Sequence, residues 1–231
     1  MLLACQPKSG STFLSRYLAQ LSGGRTYSFV PDYGRREQEL SERRLLRAKL
    51  HLNPLLVGQH HVRHSAWTQR LVDRYGVGVV VLTRNLFDVV ASYRDHVRNE
   101  DTVGPVVYLE KRMVEVGDDE LEMFVARFAI PWYLNFYMSW RSVEGVMFAD
   151  YEDIVADADG LARRALDRFG VPAKGSVEDV AAVRAKSRFN KGVPGRGRDI
   201  SAEARRIVME QAAFYARFHD DPYLVRHLGE G

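Results

Sequence analysis

A chain of 231 residues with 46% apolar and 27% charged content is long enough to bury a core and too apolar to be disordered. Its formal net charge is only +3, from 33 Lys and Arg against 30 Asp and Glu, a slight basic tilt that suits an anionic ligand without implying nucleic acid. A single cysteine, Cys5, excludes an internal disulfide framework, and no window approaches about eighteen uninterrupted apolar residues, so no membrane-spanning helix is expected. No basic segment or apolar run precedes Leu2-Leu3-Ala4-Cys5, so the expectation is a soluble, cytoplasmic protein without a signal peptide.

Met1 to Cys5 reads as a short buried strand bounded by Pro7. Lys8, Ser9, Gly10, Ser11 and Thr12 follow, and then a helical stripe of Phe13, Leu14, Tyr17, Leu18 and Leu21. A strand, a tight turn of small residues and a helix start make an anion site. The first helical N–H groups have no internal partner, and the helix dipole favours negative charge there. Gly10 lets the backbone come close, Ser11 and Thr12 add hydroxyls, and Lys8 adds a full positive charge. The order differs from G-x-x-x-x-G-K-[ST], because Lys8 precedes the glycine. Taken alone, these residues are equally a helix start capped by Ser and Thr.

Ser22 to Gly24 breaks the first helix, and Thr26 to Val30 suggests a short strand. Arg35 to Leu52 is charged and Leu-rich with a helical period, the pattern of a solvated helix. Pro54 to Gly58 reads as a buried strand running into His60, His61 and His64, and Ala66 to Tyr75 as a helix ending at Gly76. Val77 to Thr83 is β-branched without alternation, which predicts a central strand covered on both faces. Helices are predicted over Phe87–Val97, Val106–Val116 and Glu120–Trp140, the last bent at Pro131. Val146 to Ala149 is a further strand, followed by helices over Ile154–Phe169 and Val177–Ala185. Lys186 to Arg198 is a basic, Gly-rich stretch, and Ser201 caps a last helix to Phe218. Strands alternating with helices predict one α/β domain over residues 1–231, a mostly parallel sheet with helices on both faces. Ligands in such sheets bind at the carboxyl ends of the strands, where the anion loop, the histidines, Arg84 and Tyr151 all fall.

Four motifs then converge. Pro7-Lys-Ser-Gly-Ser-Thr-Phe13 resembles the 5′-phosphosulfate loop of the sulfotransferases that use 3′-phosphoadenosine 5′-phosphosulfate (PAPS). Arg84-Asn-x-x-Asp88-x-x-x-Ser92-Tyr93 resembles their 3′-phosphate signature, and an Arg fork with a hydroxyl eight positions on could hold one phosphate. Val146 to Ile154 resembles the strand that ends in Tyr-Glu-Asp, which makes Tyr151 and Phe13 candidate contacts to the adenine. Phe189 to Gly195 resembles the C-terminal loop of the family, with Lys191 and Gly192 matching. Asn190 stands where that family usually has Arg, and Arg188, Arg196 or Arg198 could supply the missing charge.

The resemblance spans Pro7 to about Gly195 and implies a P-loop-like sulfotransferase fold with PAPS as donor and 3′-phosphoadenosine 5′-phosphate (PAP) as product. Lys8 would stabilise the departing nucleotide, and Ser9, Gly10, Ser11 and Thr12 would hold the 5′-phosphate and sulfuryl oxygens. No metal is implied. The general base is His60, where many members have a catalytic His, or its neighbours His61 and His64; Glu37 or Glu39 would serve if a carboxylate does the work, as in some carbohydrate-acting relatives. The acceptor is a hydroxyl of a carbohydrate, lipid or small molecule, with Trp132, Tyr133, Phe136, Tyr137 and Trp140 available to a cleft or a core. The alternatives are a kinase-like P-loop transferase and an inactive PAPS- or PAP-binding homologue. A nucleic-acid partner is not expected, because the basic residues are dispersed among acidic ones.

Overall fold

Leu2–Cys5 forms β1, with every residue fully buried and a parallel neighbour on each side. Around it lie β2 (Arg25–Thr26), β3 (Leu56–His60), β4 (Val79–Thr83) and β5 (Met147–Asp150). The order is β2-β3-β1-β4-β5 and every pair is parallel. Parallel neighbours need crossovers, and the helices between strands are α1 (Ser11–Leu21), α2 (Glu42–Lys49), α3 (Ala66–Tyr75), α4 (Leu86–Asn99), α5 (Asp118–Phe128) and α6 (Ile130–Trp140), while α7 (Tyr151–Arg168) and α8 (Ala202–Ala216) follow β5. The computed structural model describes residues 1–32, 34, 37–50, 55–99, 115–174, 183, 195–217, 221 and 223–225. The helices expected over 106–116 and 177–185 lie outside these residues, except for Val183 and for Glu115 and Val116, which form a bend rather than helix. No described helix is long and apolar enough to cross a membrane.

The chain divides into two compact units. The first, Met1–Thr83 with Ser139–Gly192, holds all five strands. Its core joins Leu3 and Cys5 of β1, Val80 and Leu82 of β4, Phe13, Leu14, Leu18 and Leu21 of α1, and Leu161, Ala165 and Leu166 of α7. Each such Leu or Val contributes roughly 1.5–3 kcal/mol by leaving water. The second unit, Arg84–Met138 with Val193–Gly231, is helical. There the Glu122 carboxylate joins three segments, accepting from Arg94 Nη1 of α4 at 2.5 Å and from the Ser201 N–H at the start of α8 at 2.6 Å.

Three expectations need correction. Residues 37–41 are extended rather than helical, because Gln38 pairs with Val62 and Ser41 caps a helix that begins only at Glu42. The single helix expected over 120–140 is two, parted at Ala129; the ring of Pro131 cannot continue a helix from before it but suits the first turn of α6. The strand expected from Thr26 to Val30 ends at Thr26. Helix α7 also changes course at Asp157, whose backbone is extended (φ −157°, ψ 83°) and whose Oδ1 accepts the Gly160 N–H at 2.8 Å. A Cβ at Gly160 would lie 1.9 Å from Asp157 Oδ2, so a larger residue there would push the Asp157 carboxylate aside.

In β3, Gly58 lies under the ring of Phe29, and an added Cβ would stand 2.2 Å from Phe29 Cδ2. Gly58→Ala is expected to cost about 1–3 kcal/mol by overpacking, read as a lower urea midpoint at unchanged slope.

Candidate active site

The strand β1 ends at Cys5, and the chain must then turn into α1 within five residues. Two of them adopt left-handed backbone: Gly10 at φ 77° and, unusually for a side-chain-bearing residue, Lys8 at φ 63°. The turn is stitched from inside, with the Gln6 N–H donating to Leu82 O at 3.0 Å and the buried Ser9 hydroxyl donating to Gln6 O at 2.5 Å. Helix α1 then opens on Gly10, which supplies no capping side chain, and its first turn has no acidic residue. The positive end of the helix is therefore not neutralised by the helix itself. Ser11 is buried and Thr12 half-buried. Phe13 is 1% exposed and packs on Tyr17 with ring centroids 5.6 Å apart, the setting of a core residue. Tyr151, first residue of α7, is likewise buried; Asp150 before it forms a capping box with Asp153 and accepts from the Thr83 hydroxyl at 2.5 Å.

Strand β3 runs as far as His60, two residues beyond the expected end, and this decides where the histidines point. Successive side chains of a strand face opposite ways, so His60 and His61 part company. His60 is fully buried, and its Nε2 accepts the Phe29 N–H at 2.8 Å. Burial, with the charges of His61 and Arg44, lowers its pKa to about 3. His61 is half-buried. Its Nδ1 lies 2.8 Å from the carbonyl oxygen of Cys5 and 3.5 Å from the Cys5 sulfur, and its N–H donates to Gln38 Oε1 at 2.8 Å. An Nδ1–H donated to that carbonyl leaves the basic lone pair on Nε2. Burial opposes the charged form of His61, but Cys5 outweighs burial and raises the pKa above the ordinary histidine value. His64 is held by Gln69 Oε1, 3.0 Å from its Nε2, and by Ser139 Oγ, which accepts its backbone N–H at 3.0 Å. Glu37 is exposed and paired with Arg63 at 2.9 Å, and Glu39 is exposed. Gln38, which the sequence reading passed over, is the buried side chain of that stretch.

In the second unit, Arg84 is the residue that follows β4 in the chain, and Asn85 caps α4 by accepting the N–H groups of Phe87 and Asp88 at 3.0 and 3.2 Å. Arg84 and Ser92 are 5% and 3% exposed, which puts a permanent cation and a hydroxyl in low-dielectric surroundings. Arg84 Nη2 stands 3.9 Å from Asp88 Oδ2, the outer limit of an ion pair. Asp88 in turn accepts the backbone N–H groups of Gly195 and Gly197. Asn after a strand is a readable cap signal; the role of Asp88 has no local signal. Lys191, Gly192, Asn190 and Arg188 lie outside the described residues. Arg196 pairs with Asp95, and Arg198 is exposed. The aromatics of α6 are buried, with Trp140 Nε1 donating to Val62 O at 3.0 Å.

By sequence, the chain matches no family model and no curated protein. By structure, it superposes on mouse sulfotransferase SULT7A1 complexed with PAP, with a TM-score of 0.62 over 95% of this chain and 84% of that one at 14% identity. The protein has the sulfotransferase fold. The same fold is shared with retinol dehydratase in complex with androsterone and inactive cofactor PAP (TM-score 0.56, 17% identity, 96% of this chain and 81% of that one). It is shared also with a sulfotransferase from Alicyclobacillus acidocaldarius (TM-score 0.51, 17% identity, 98% of this chain and 92% of that one).

The buried His60 makes this sulfotransferase-fold protein acid-sensitive. Its folded pKa of about 3 lies below the unfolded value of 6.5, so the unfolded chain binds more protons between them and stability falls as pH drops below 6.5. The part due to His60 reaches about 2 kcal/mol by pH 5. His60→Gln, which can still accept from Phe29 N–H, should flatten this part of the profile when urea unfolding is compared at pH 7 and pH 5.

Proposed function

We propose that the protein transfers a sulfuryl group from PAPS to a hydroxyl of a carbohydrate, lipid or small molecule. One observation carries this reading: a buried strand opens through left-handed Lys8 and Gly10 into a helix with no side-chain cap, within a fold shared with sulfotransferases. The donor set fits the nucleotide chemically. Lys8, the N–H groups at the start of α1 and the hydroxyls of Ser11 and Thr12 suit a 5′-phosphosulfate, and buried Arg84 with Ser92 suits a 3′-phosphate. Tyr151 is the candidate contact to the adenine in this reading, whereas Phe13 packs in the core. PAPS supplies a sulfuryl group on a good leaving group, so positioning and charge stabilisation suffice.

In this reading the acceptor oxygen forms the new S–O bond as the bond from sulfur to the nucleotide's phosphate oxygen breaks. Lys8 offsets the charge that grows on that oxygen. The acceptor proton goes to a base, and His61 suits the role best. Its ring lies against Cys5, the last residue of β1 before the donor loop, and Cys5 raises its pKa above the ordinary histidine value. His60 would have to give up Phe29 N–H and take a charge where burial opposes one. Glu37 would have to leave Arg63, and Glu39 is an exposed alternative.

The deciding experiment is calorimetry with PAP, followed by a PAPS acceptor screen. Lys8→Ala should lower kcat by about 10²–10³-fold with little change in PAP affinity. Arg84→Ala should weaken PAP binding by about 2–5 kcal/mol. His61→Gln should abolish the acidic limb of the kcat/KM pH profile, whereas His60→Gln should keep it. Absence of heat with PAP, or activity that needs Mg²⁺-ATP and ignores PAPS, would overturn the reading.

A further inference from the structure

Asp88, in the first turn of α4, is a carboxylate at 1% exposure that reaches across to a segment distant in sequence. Its Oδ2 accepts the Gly195 N–H at 2.9 Å and its Oδ1 the Gly197 N–H at 2.7 Å. Gly197 is seated so tightly that a Cβ would fall 2.3 Å from Phe87 Cβ and 2.8 Å from the Asp88 nitrogen. From the other side, Arg205 of α8 donates to Gly197 O at 2.7 Å while its guanidinium lies 4.5 Å from the centre of the Phe87 ring. The backbone at 195–197 is thus clamped on the same turn of helix that Arg84 precedes by two residues. A chain segment distant in sequence has been locked beside a buried cation, by a group that also balances that cation's charge.

The chemistry of the clamp is specific to a carboxylate. Two N–H donors at two oxygens spread the negative charge and leave Asp88 only loosely engaged with Arg84, at 3.9 Å. Asp88 thus balances the guanidinium from 3.9 Å while it holds the Gly195–Gly197 backbone. An Asn amide could serve only one of the two N–H groups, since its NH₂ would face the other donor.

We propose that Asp88 is the positioning residue of the 3′-phosphate site, acting through Arg84 and the Gly195–Gly197 backbone to set how strongly the protein prefers a nucleotide bearing that phosphate. The inference rests on the donor assignment above. Its test is the ratio of PAP affinity to adenosine 5′-monophosphate affinity, measured by calorimetry on the whole chain. Asp88→Asn should reduce the ratio about tenfold or more, with adenosine 5′-monophosphate binding changed less than about twofold. Gly197→Ala disturbs the same clamp without touching a charge and should reduce the ratio in the same direction. It supplies the answer if Asp88→Asn does not fold. A folded variant that melts earlier yet keeps the wild-type ratio overturns the proposal, because a merely structural carboxylate would behave so. A wild-type protein that binds PAP and the monophosphate equally overturns this inference; one that binds neither overturns the donor assignment itself.

Discussion

A strand buried on both faces and paired on both edges has nowhere to put polar chemistry except at its ends. Strand β1 is in that position: each residue from Leu2 to Cys5 is fully buried between β3 and β4. When the chain emerges at Gln6 it must reverse into α1 at once, and the left-handed backbone at Lys8 and Gly10 is how it does so. The strain of a non-glycine residue at φ 63° is sustained by the surrounding hydrogen bonds of Gln6 and Ser9. The cation and the helix start beside it follow from a packing problem as much as from a chemical one.

The two histidines at the end of β3 show how the same sheet assigns opposite fates to neighbours. His60 faces inward and serves the fold, receiving Phe29 N–H; His61 faces the other way and leans on Cys5. One residue of register separates a buried neutral ring from a basic one. Burial works against both charges, and at His61 the sulfur and carbonyl of Cys5 outweigh it.

Much of this was readable from the sequence where the signal is local. The β-branched run ending at Thr83 announced its strand and Gly76 closed α3 as expected, whereas α7 starts at Tyr151, three residues ahead of the expected Ile154. The small-residue turn after β1 and the Arg–Asn pair after β4 were visible for the same reason. What escaped depends on partners far along the chain. Residues 37–41 carry a helical pattern, but Gln38 finds Val62, and a non-local bridge overrides propensity. The inward turn of His60 depends on where β3 stops, which a period of two cannot fix to one residue. Asp88 looks like an ordinary first-turn acid of α4, and its grip on Gly195 and Gly197 spans more than a hundred positions.

Helix α7 carries a consequence of another kind. At Asp157 the ladder of backbone bonds is interrupted and a fresh cap begins with the Gly160 N–H. Unwinding that starts at the Tyr151 end therefore meets a firebreak before it reaches the turn where Asp159 takes the Tyr17 hydroxyl at 3.1 Å and Arg163 at 2.7 Å. The two halves of α7 are thus fastened separately, the first by the Asp150–Asp153 box with buried Tyr151 and Ile154, the second by the grip of Asp159 on Tyr17 of α1.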